Sequence, residues 1–200
     1  MNGYYSQYGE DKIIEAILGD KIGKLLEIGA WHPTQLSNSR RFIEKGWSAV
    51  LVDFCPSAVR ALVGEYGNNE KVQILQAAVS MGDNGTLCRF TVSDDAISSS
   101  SDAFVEKWSK TSGYVGRLWV PLLSVQHLFH QFGSGYDFIS IDTEGSSADL
   151  AIHLVRDARQ EPKVICVEHD SRVVEIMQAL QVFGYYVHYT NGTNAILVKS

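Results

Sequence analysis

The sequence lacks any long hydrophobic run and contains few cysteines. No apolar segment reaches the roughly 18 to 20 residues that a membrane-spanning helix needs. The first residues have neither a basic flank nor an apolar core, so a secretory signal peptide is not expected. The three cysteines are Cys55, Cys88 and Cys166, and their odd number and wide spacing exclude a disulfide framework and a zinc knuckle. A reducing, cytoplasmic setting is therefore expected.

Clustered basic residues are also scarce. The formal net charge is -6, and only Arg40 and Arg41 are adjacent among the lysines and arginines. Phosphate binding favours clustered basic side chains, so nucleic acid is not expected as the main partner. The 200 residues, 45% hydrophobic and 20% charged, are typical of a globular protein. We expect one domain over residues 1–200, in which residues 93–119 form a substrate or lid insertion. No membrane partner is expected. The sequence does not indicate an oligomeric state.

Short apolar runs alternate with helix-length segments along the chain. A closing hairpin is expected around Asn191-Gly192, because this dipeptide suits the positive φ of a tight turn. Strands that alternate with helices predict an α/β fold with a doubly wound, mostly parallel sheet, and the hairpin predicts an antiparallel strand at its edge. The expected strands are 24–28, 48–54, 72–79, 86–92, 118–122, 136–142, 163–168, 185–190 and 194–199, and the expected helices are 8–19, 38–45, 56–66, 125–132, 147–155 and 172–183.

Ligands of such sheets bind beyond the carboxyl ends of the strands, so the residues that follow each strand are candidates for a site. After the first strand, Gly29 lets the backbone approach a ligand closely, and Glu27 places a carboxylate nearby. Asp53 ends the next strand, where a carboxylate suits a ribose diol. The alternative is that Gly29 is only a turn glycine and Glu27 a solvated strand end.

The turn at Gly29 lacks the second and third glycines of the dinucleotide-binding pattern. Trp31, His32 and Pro33 occupy the turn instead, and so bulky a segment is a poor cradle for a diphosphate. It still accepts a cofactor without phosphates, such as S-adenosylmethionine. A nicotinamide-dependent oxidoreductase is the main rival, and a methyltransferase-like binding module without catalysis is the second.

Acidic residues follow two later strands. Asp142 and Glu144 come directly after a buried strand, where they could bind an ammonium group, take a proton or hold a metal. Alternatively, Asp142 or Thr143 could cap the next helix. Glu168 and His169 follow the last parallel strand. His169 could act as a general base, or it could join Asp142 and Glu168 in a magnesium site, or it could lie on the surface beside a helix cap.

Seven segments of the sequence resemble the FkbM-type family of class I methyltransferases. They are 6–11 (Ser-Gln-Tyr-Gly-Glu-Asp), 26–30 (Leu-Glu-Ile-Gly-Ala), 37–40 (Ser-Asn-Ser-Arg), 46–53 (Gly-Trp-Ser-Ala-Val-Leu-Val-Asp), 120–122 (Val-Pro-Leu), 137–145 (Asp-Phe-Ile-Ser-Ile-Asp-Thr-Glu-Gly) and 167–169 (Val-Glu-His). The resemblance implies a seven-stranded sheet with an antiparallel last strand, binding of S-adenosylmethionine, and O-methylation of a sugar or natural-product hydroxyl. Two departures are Asp53-Phe54-Cys55-Pro56, where relatives often carry Glu-Pro-Asn-Pro, and residues 145–148, which lack a further acid.

These observations define the predicted site of a methyltransferase with a small-molecule acceptor. The general base is expected to be His169, with Asp142 as the competitor, and magnesium is an alternative without direct support. The acceptor is expected near Trp31, His32 and Glu168, with aromatic residues of the insertion, Trp108, Tyr114 and Trp119, alongside. The predicted cofactor-binding residues are Glu27, Gly29, Ala30, Asp53, Phe54, Ala78, Asp142 and Glu144.

Overall fold

The computed structural model describes residues 3–82, 84–93, 98–100, 102, 105–106, 109–110 and 113–200. The helices are α1 (Glu10–Leu18), α2 (Arg40–Glu44), α3 (Pro56–Tyr66), α4 (Val125–Phe132), α5 (Ser147–Arg156) and α6 (Val173–Leu180), which a 3-10 turn (Gln181–Phe183) extends. The strands are β1 (Lys24–Ile28), β2 (Ser48–Asp53), β3 (Val72–Gln76), β4 (Ala78–Ser80), β5 (Leu87–Ser93), β6 (Tyr114–Ser124), β7 (Phe138–Ile141), β8 (Val164–Glu168), β9 (Tyr185–Thr190) and β10 (Asn194–Lys199).

The main sheet has seven strands in the order β3-β2-β1-β7-β8-β10-β9. The pairs from β3 to β8 are parallel, and β10 runs antiparallel to both β8 and β9. The predicted α/β fold, with a mostly parallel seven-stranded sheet and an antiparallel edge, is confirmed. The reversed strand is β10, which lies between β8 and β9 because the final hairpin folds back onto the sheet.

Helices cover both faces of this sheet, as the nearly all-apolar central strands require. On one face, Leu26, Ile139 and Ile165 pack against apolar side chains of α4, α5 and α6. On the other face, α1, α2 and α3 contribute a second core, in which Phe42 and Trp47 are almost fully buried. Within the described residues, no helix is long and apolar enough to span a membrane.

The single strand expected over residues 72–79 is divided between two sheets, so this prediction is wrong. Residues 72–76 pair with β2, whereas β4 leaves the main sheet after Ala77 and pairs with β6. The β6 strand also pairs antiparallel with β5, which gives a second sheet in the order β4-β6-β5. Its buried face carries Ala78, Phe90 and Val120. The hydrophobic pattern does not reveal this division, because a continuous apolar run does not indicate which strand each of its halves pairs with.

Residues 93–119, the expected insertion, are only partly described. Their described part includes the last residue of β5 and the first half of β6, which extends the strand expected at 118–122 back to Tyr114. Residues 94–97, 101, 103–104, 107–108 and 111–112 lie outside the described residues, and with them Trp108. The role of the insertion stays a prediction.

The closing hairpin is present where expected, but its turn differs from the expected geometry. Neither Asn191 nor Gly192 adopts a positive φ. Instead the side-chain carbonyl oxygen of Asn191 accepts hydrogen bonds from the backbone N–H groups of Thr193 and Asn194, at 2.8 and 2.7 Å. The turn is therefore held by an Asn side chain rather than by left-handed backbone.

The strand register brings four chain segments to one edge of the main sheet. Ile28 pairs with Val52 on one side and with Ile141 on the other, and Ile141 pairs with Val167. The next residue along each strand therefore belongs to a common row at the carboxyl edge. This row consists of Asp53, Gly29, Asp142 and Glu168.

Gly29 permits the close approach of two of these segments. Its φ is +87°, and a Cβ atom built on it would lie 1.6 Å from the backbone carbonyl oxygen of Asp142. The backbone N–H groups of Gly29 and Ala30 both donate to the carbonyl oxygen of Val52, and the Asp142 N–H donates to that of Ile28. Any side chain at position 29 would push these chain ends apart.

We expect Gly29→Ala to lower stability and Gly64→Ala to raise it. The left-handed backbone alone costs a non-glycine residue about 1–2 kcal/mol, to which the clash at Asp142 adds. Gly64 is exposed in α3 with nothing within 4 Å of its would-be Cβ, so alanine there should gain about 0.5–1 kcal/mol. Urea unfolding followed by circular dichroism measures both. A Gly29→Ala protein as stable as the wild type would contradict the close approach.

Candidate functional site

A cavity of about 340 Å³ opens at the carboxyl edge of the main sheet, where the strand order reverses between β1 and β7. Its walls come from the residues after β1, β2 and β7, from β4 and β5, and from the N-terminal segment. Ten predicted site residues line it: Glu27, Gly29, Ala30, Trp31, His32, Asp53, Phe54, Ala78, Asp142 and Glu144. Glu168 and His169 are not among its described lining residues.

Asp53 is buried and held in place by the backbone. One carboxylate oxygen accepts the N–H of Trp31 at 3.0 Å, and the other accepts the N–H of Cys55 at 2.7 Å. Burial raises the pKa of Asp53 to about 6, although these backbone hydrogen bonds oppose the shift. Each oxygen keeps a second lone pair, so the carboxylate is preset to accept further hydrogen bonds from a ligand in the cavity.

Glu27 lies beneath the start of α2, on the face of the sheet that α2 covers. Its Oε1 atom accepts the backbone N–H of Asn38 at 3.3 Å, and the Ser39 side chain also donates to the carboxylate. Burial, together with the smaller effect of the neighbouring acids Asp142 and Asp53, raises the pKa of Glu27 to about 7, and these hydrogen bonds oppose the shift. Glu27 therefore loses its proton less readily than an exposed glutamate does.

Three carboxyl groups converge where β7 and β8 end. Asp142, Glu144 and Glu168 each offer an oxygen, and these atoms lie within 4.8 Å of one another. Glu168 donates a hydrogen bond to Asp142. Burial, followed by the charge of Asp142, raises the pKa of Glu168 far above its usual range, whereas burial raises that of Asp142 less. Such a group needs a shared proton or a cation to offset its charge.

His169 lies outside this group, because its ring is fully engaged elsewhere. It is buried, with 6% of its surface exposed. Its Nε2–H donates to the carbonyl oxygen of Asn191 at 3.0 Å, and its Nδ1 accepts the backbone N–H of Ser171 at 2.9 Å. The predicted set of Asp142, Glu168 and His169 is thus not brought together, and His169 instead fixes the loop after β8 to the closing hairpin.

Trp31 and His32 line the cavity, with ring centroids 5.6 Å apart. The backbone N–H groups of Thr34 and Gln35 donate to Nδ1 of His32 at 3.1 and 3.0 Å. This leaves the proton of the neutral ring on Nε2, where it can serve a ligand as a donor. The loop is anchored from below by Tyr66, whose hydroxyl donates to the carbonyl oxygen of Pro33 at 2.8 Å.

The second sheet supplies the apolar wall of the cavity. Ala77 and Ala78 present small side chains there, and the Phe54 and Phe90 rings pack with centroids 4.2 Å apart. This wall suits a flat aromatic group such as a nucleobase. Trp119 lies on the other face of β6, 62% exposed, and does not line the cavity.

The N-terminal segment closes the remaining side. The Glu10 carboxylate accepts the side-chain N–H groups of Asn191 and Asn194 and the backbone N–H of Tyr8. Gln7 and Asn194 both line the cavity. Sequence reasoning noted the segment at 6–11 but gave it no role, and it missed the contact because residues so far apart in the chain carry no local signal.

Charge distinguishes this cavity from the rest of the surface. Glu27, Asp53, Asp142 and Glu144 line it, and no lysine or arginine is among its described lining residues. The four acids lie at or just after strand ends of the main sheet, and their predicted part in binding a cofactor stays a prediction. Sequence reasoning missed Asn38, which also lines the cavity. The only signal for Asn38 was its place in the short motif at 37–40.

Comparisons with solved structures identify the fold as that of Rossmann-like methyltransferases. The Escherichia coli protein yhhF, assigned as a methyltransferase, superposes over 99% of this chain and 89% of its own with a TM-score of 0.55 and 7% identity. Sp1610 of Streptococcus pneumoniae, assigned as a tRNA (m1A22) methyltransferase and solved with S-adenosyl-L-methionine, covers 98% of this chain and 74% of its own, with a TM-score of 0.50 and 13% identity.

The methyltransferase FkbM from Methylobacillus flagellatus gives a TM-score of 0.52 at 11% identity, over 88% of this chain and 43% of its own. This chain therefore spans less than half of that structure. No protein-family model matches the sequence, and no curated protein matches it significantly. At these identities the likeness establishes the fold, and the resemblance to the FkbM-type family stays a prediction.

Replacing Glu168 by Gln should make the protein's stability less dependent on pH. In the unfolded chain a glutamate has a pKa of about 4.3. The folded protein holds the Glu168 proton to much higher pH, so stability falls as pH rises above the unfolded value. The free energy of unfolding of E168Q should equal that of the wild type at about pH 4. It should exceed that of the wild type by a growing margin toward about pH 9. Urea unfolding across this range measures the difference.

The exposed Glu70 offers the matched control, because Glu70→Gln makes the same chemical change outside the site. Its unfolding curve should follow that of the wild type at every pH. Parallel pH profiles for E168Q and the wild type would show that Glu168 is ionised in the folded protein.

Proposed function

We propose that the protein is an S-adenosylmethionine-dependent methyltransferase that transfers a methyl group to a hydroxyl of a small molecule. The observation that carries the proposal is the acidic cavity at the carboxyl edge of the sheet, bounded by an apolar wall. The cofactor carries a sulfonium and an ammonium, which offset buried carboxylates, and a nucleoside that suits both a carboxylate and an apolar wall.

The same cavity argues against a nicotinamide dinucleotide. A diphosphate needs backbone N–H groups at a glycine-rich turn or basic side chains, and it is repelled by carboxylates. Here the N–H groups of Gly29 and Ala30 are used by Val52, and that of Trp31 by Asp53. The turn therefore offers few free donors to an anion.

The residues present fit the proposed cofactor. Asp53 would accept the two ribose hydroxyls with its remaining lone pairs, and the wall at Ala77, Ala78 and Phe54 would cover the adenine. When bound, the cofactor supplies an electrophilic methyl group on a positively charged sulfur. The protein's task is then to align the acceptor oxygen with that carbon and to exclude water.

Asp142 is the general base that we propose for the acceptor hydroxyl. It lines the cavity, whereas the ring nitrogens of His169 are both bound to backbone groups. Glu168 keeps its proton and donates it in a hydrogen bond to Asp142, which orients the carboxylate and moderates its basicity. Glu168 thus supports Asp142 from outside the cavity rather than contacting the acceptor.

The acceptor is proposed to be a hydroxyl-rich compound such as a sugar. The half-buried Trp31 offers an apolar ring face, and His32 carries an Nε2–H that can donate to an acceptor oxygen. Gln7, Gln35 and Asn194 add amide groups to the same cavity. Rings with amides around them match the alternating apolar and hydroxyl faces of a sugar.

Isothermal titration calorimetry tests cofactor choice. We expect S-adenosylmethionine and S-adenosylhomocysteine to bind and NAD not to bind. Asp53→Asn should weaken S-adenosylhomocysteine at least about 10-fold, since a charged hydrogen-bond acceptor is removed. The exposed Asp20→Asn serves as the matched control and should bind as the wild type does. Binding of NAD alone would contradict the proposal.

Methyl transfer from labelled S-adenosylmethionine to a panel of hydroxyl compounds tests the base. Asp142→Asn should lower kcat by about 100-fold or more, the usual contribution of a general base. His169→Ala should keep kcat within a few fold of wild type once folding is verified by thermal melting. A loss of turnover in His169→Ala with Asp142→Asn near wild type would reverse the assignment.

A further inference from the structure

The left-handed backbone of Glu144 is a strained feature of the candidate site. Its φ is +51°, and Gly145 follows with a φ of +101°. Residues with a side chain rarely adopt a positive φ, and they keep it only where the surrounding structure holds them there. The contacts that hold Glu144 in this conformation are therefore candidates for a role in the site.

Hydrogen bonds fix the loop after β7 at each of its first three residues. The backbone N–H of Asp142 donates to the last carbonyl oxygen of β1 at 2.9 Å, and that of Thr143 donates to Oγ of Ser147 at 2.8 Å. The backbone carbonyl oxygen of Glu144 accepts the hydroxyl proton of Ser99 at 2.7 Å. The first two bonds come from the main sheet and from α5, whereas the third comes from the insertion.

Ser99 is itself held firmly, because its segment is bonded to the second sheet. Ser99 and Thr91 each donate a backbone N–H to the carbonyl oxygen of the other, at 3.1 and 2.9 Å. The backbone N–H of Ser93 donates to Oγ of Ser98 at 3.0 Å. Ser98 and Ser100 line the cavity, and Ser99 between them is only 2% exposed. This segment therefore connects β5 with the loop that carries the acids.

The conformation of Glu144 bears on the proposed base. A carboxylate oxygen of Glu144 lies within 4.8 Å of those of Asp142 and Glu168. Burial and the charge of Asp142 raise the pKa of Glu168 most, and the charge of Glu144 adds to them. If Glu144 relaxed to an ordinary backbone conformation, its side chain would point in another direction and leave this group.

We propose that Ser99 is a positioning residue for methyl transfer. Its hydroxyl holds the left-handed backbone of Glu144, and this keeps the Glu144 carboxyl group beside Asp142, the proposed base. Ser99 is not among the described residues that line the cavity, so it acts through Glu144 rather than on the ligands. This inference rests on the proposed function, and it gives a described part of the insertion a role in the reaction.

Steady-state methyl transfer with Ser99→Ala tests the role, with the hydroxyl compound that the wild type methylates fastest. We expect kcat to fall about 10-fold, because small displacements at a reacting centre are costly. The KM for S-adenosylmethionine and the Kd for S-adenosylhomocysteine should stay within about 2-fold, since the cofactor contacts are kept. A cofactor affinity that falls as much as kcat would overturn the inference.

Ser109→Ala is the matched control. The Ser109 hydroxyl makes the same kind of bond within the insertion, to the backbone carbonyl oxygen of Glu106 at 2.8 Å. Neither residue is among the described residues that line the cavity. Ser109→Ala should therefore leave kcat as it is in the wild type.

A double-mutant cycle with Glu144→Ala separates positioning from general packing. If Ser99 acts through the Glu144 carboxyl group, Ser99→Ala should change kcat by less than about 2-fold once that group is gone. An equal loss in the wild-type and Glu144→Ala backgrounds would overturn the inference, as would an unchanged kcat in Ser99→Ala alone. Thermal melting of each variant verifies folding.

Hydrogen–deuterium exchange gives a readout that needs no turnover. Ser99→Ala should speed the exchange of the backbone N–H groups of residues 143–147 and leave that of β1 unchanged, because only the loop loses a bond. Unchanged exchange over residues 143–147 would overturn this inference and leave the proposed function standing. Wild-type protein that methylates no compound of the panel would overturn the proposed function, and this inference with it.

Discussion

The parallel register of β2, β1, β7 and β8 is the constraint on which the rest of the site depends. Because Val52, Ile28, Ile141 and Val167 stand in one row, the chain leaves all four strands at the same height. The apolar residues before that row pack in the core, and the acids after it all lie at the carboxyl edge of the sheet. Packing and charge are thus separated by a single step along each strand, and Gly29 keeps the two central strands close enough for the acids to share one cavity.

This concentration of buried carboxyl groups lowers the stability of the fold. Glu27, Asp53, Asp142 and Glu168 all have raised pKa values, and burial is the largest cause in each case. A fold selected for stability alone would place neutral groups at these positions, because a buried charge without a partner is unfavourable. Raised pKa values in a cavity are instead typical of a functional site. A positively charged ligand would offset the negative charge of these buried carboxylates, for which the cavity has no basic side chain among its described lining residues.

Much of the fold could be predicted from the sequence, because its signals are local. The apolar runs of β1, β2 and β8 end in acids or glycine, and helix α3 begins at Pro56 and ends before Gly67, as expected from Pro at the first helical turn. The strands β3 and β4 could not be separated, since pairing partners are set by distant residues. For the same reason His169 could be recognised as a titratable residue at a strand end, while its hydrogen bond to Asn191 could not be foreseen. The hydrogen bond from Asn38 to Ser140 joins residues 102 positions apart, and no local pattern in the sequence predicts it.

The bond between Glu10 and the closing hairpin bears on how the protein is made. It joins residues 184 positions apart in the sequence, from the first helix to the last strand. Contacts of such separation form late, because the loop between them must first be closed. During synthesis the central strands can assemble while the cavity still lacks one side, and the bonds from Asn191 and Asn194 to Glu10 form only after β10 has emerged. A shortened chain could therefore acquire the sheet and its acids without ever enclosing the space between them.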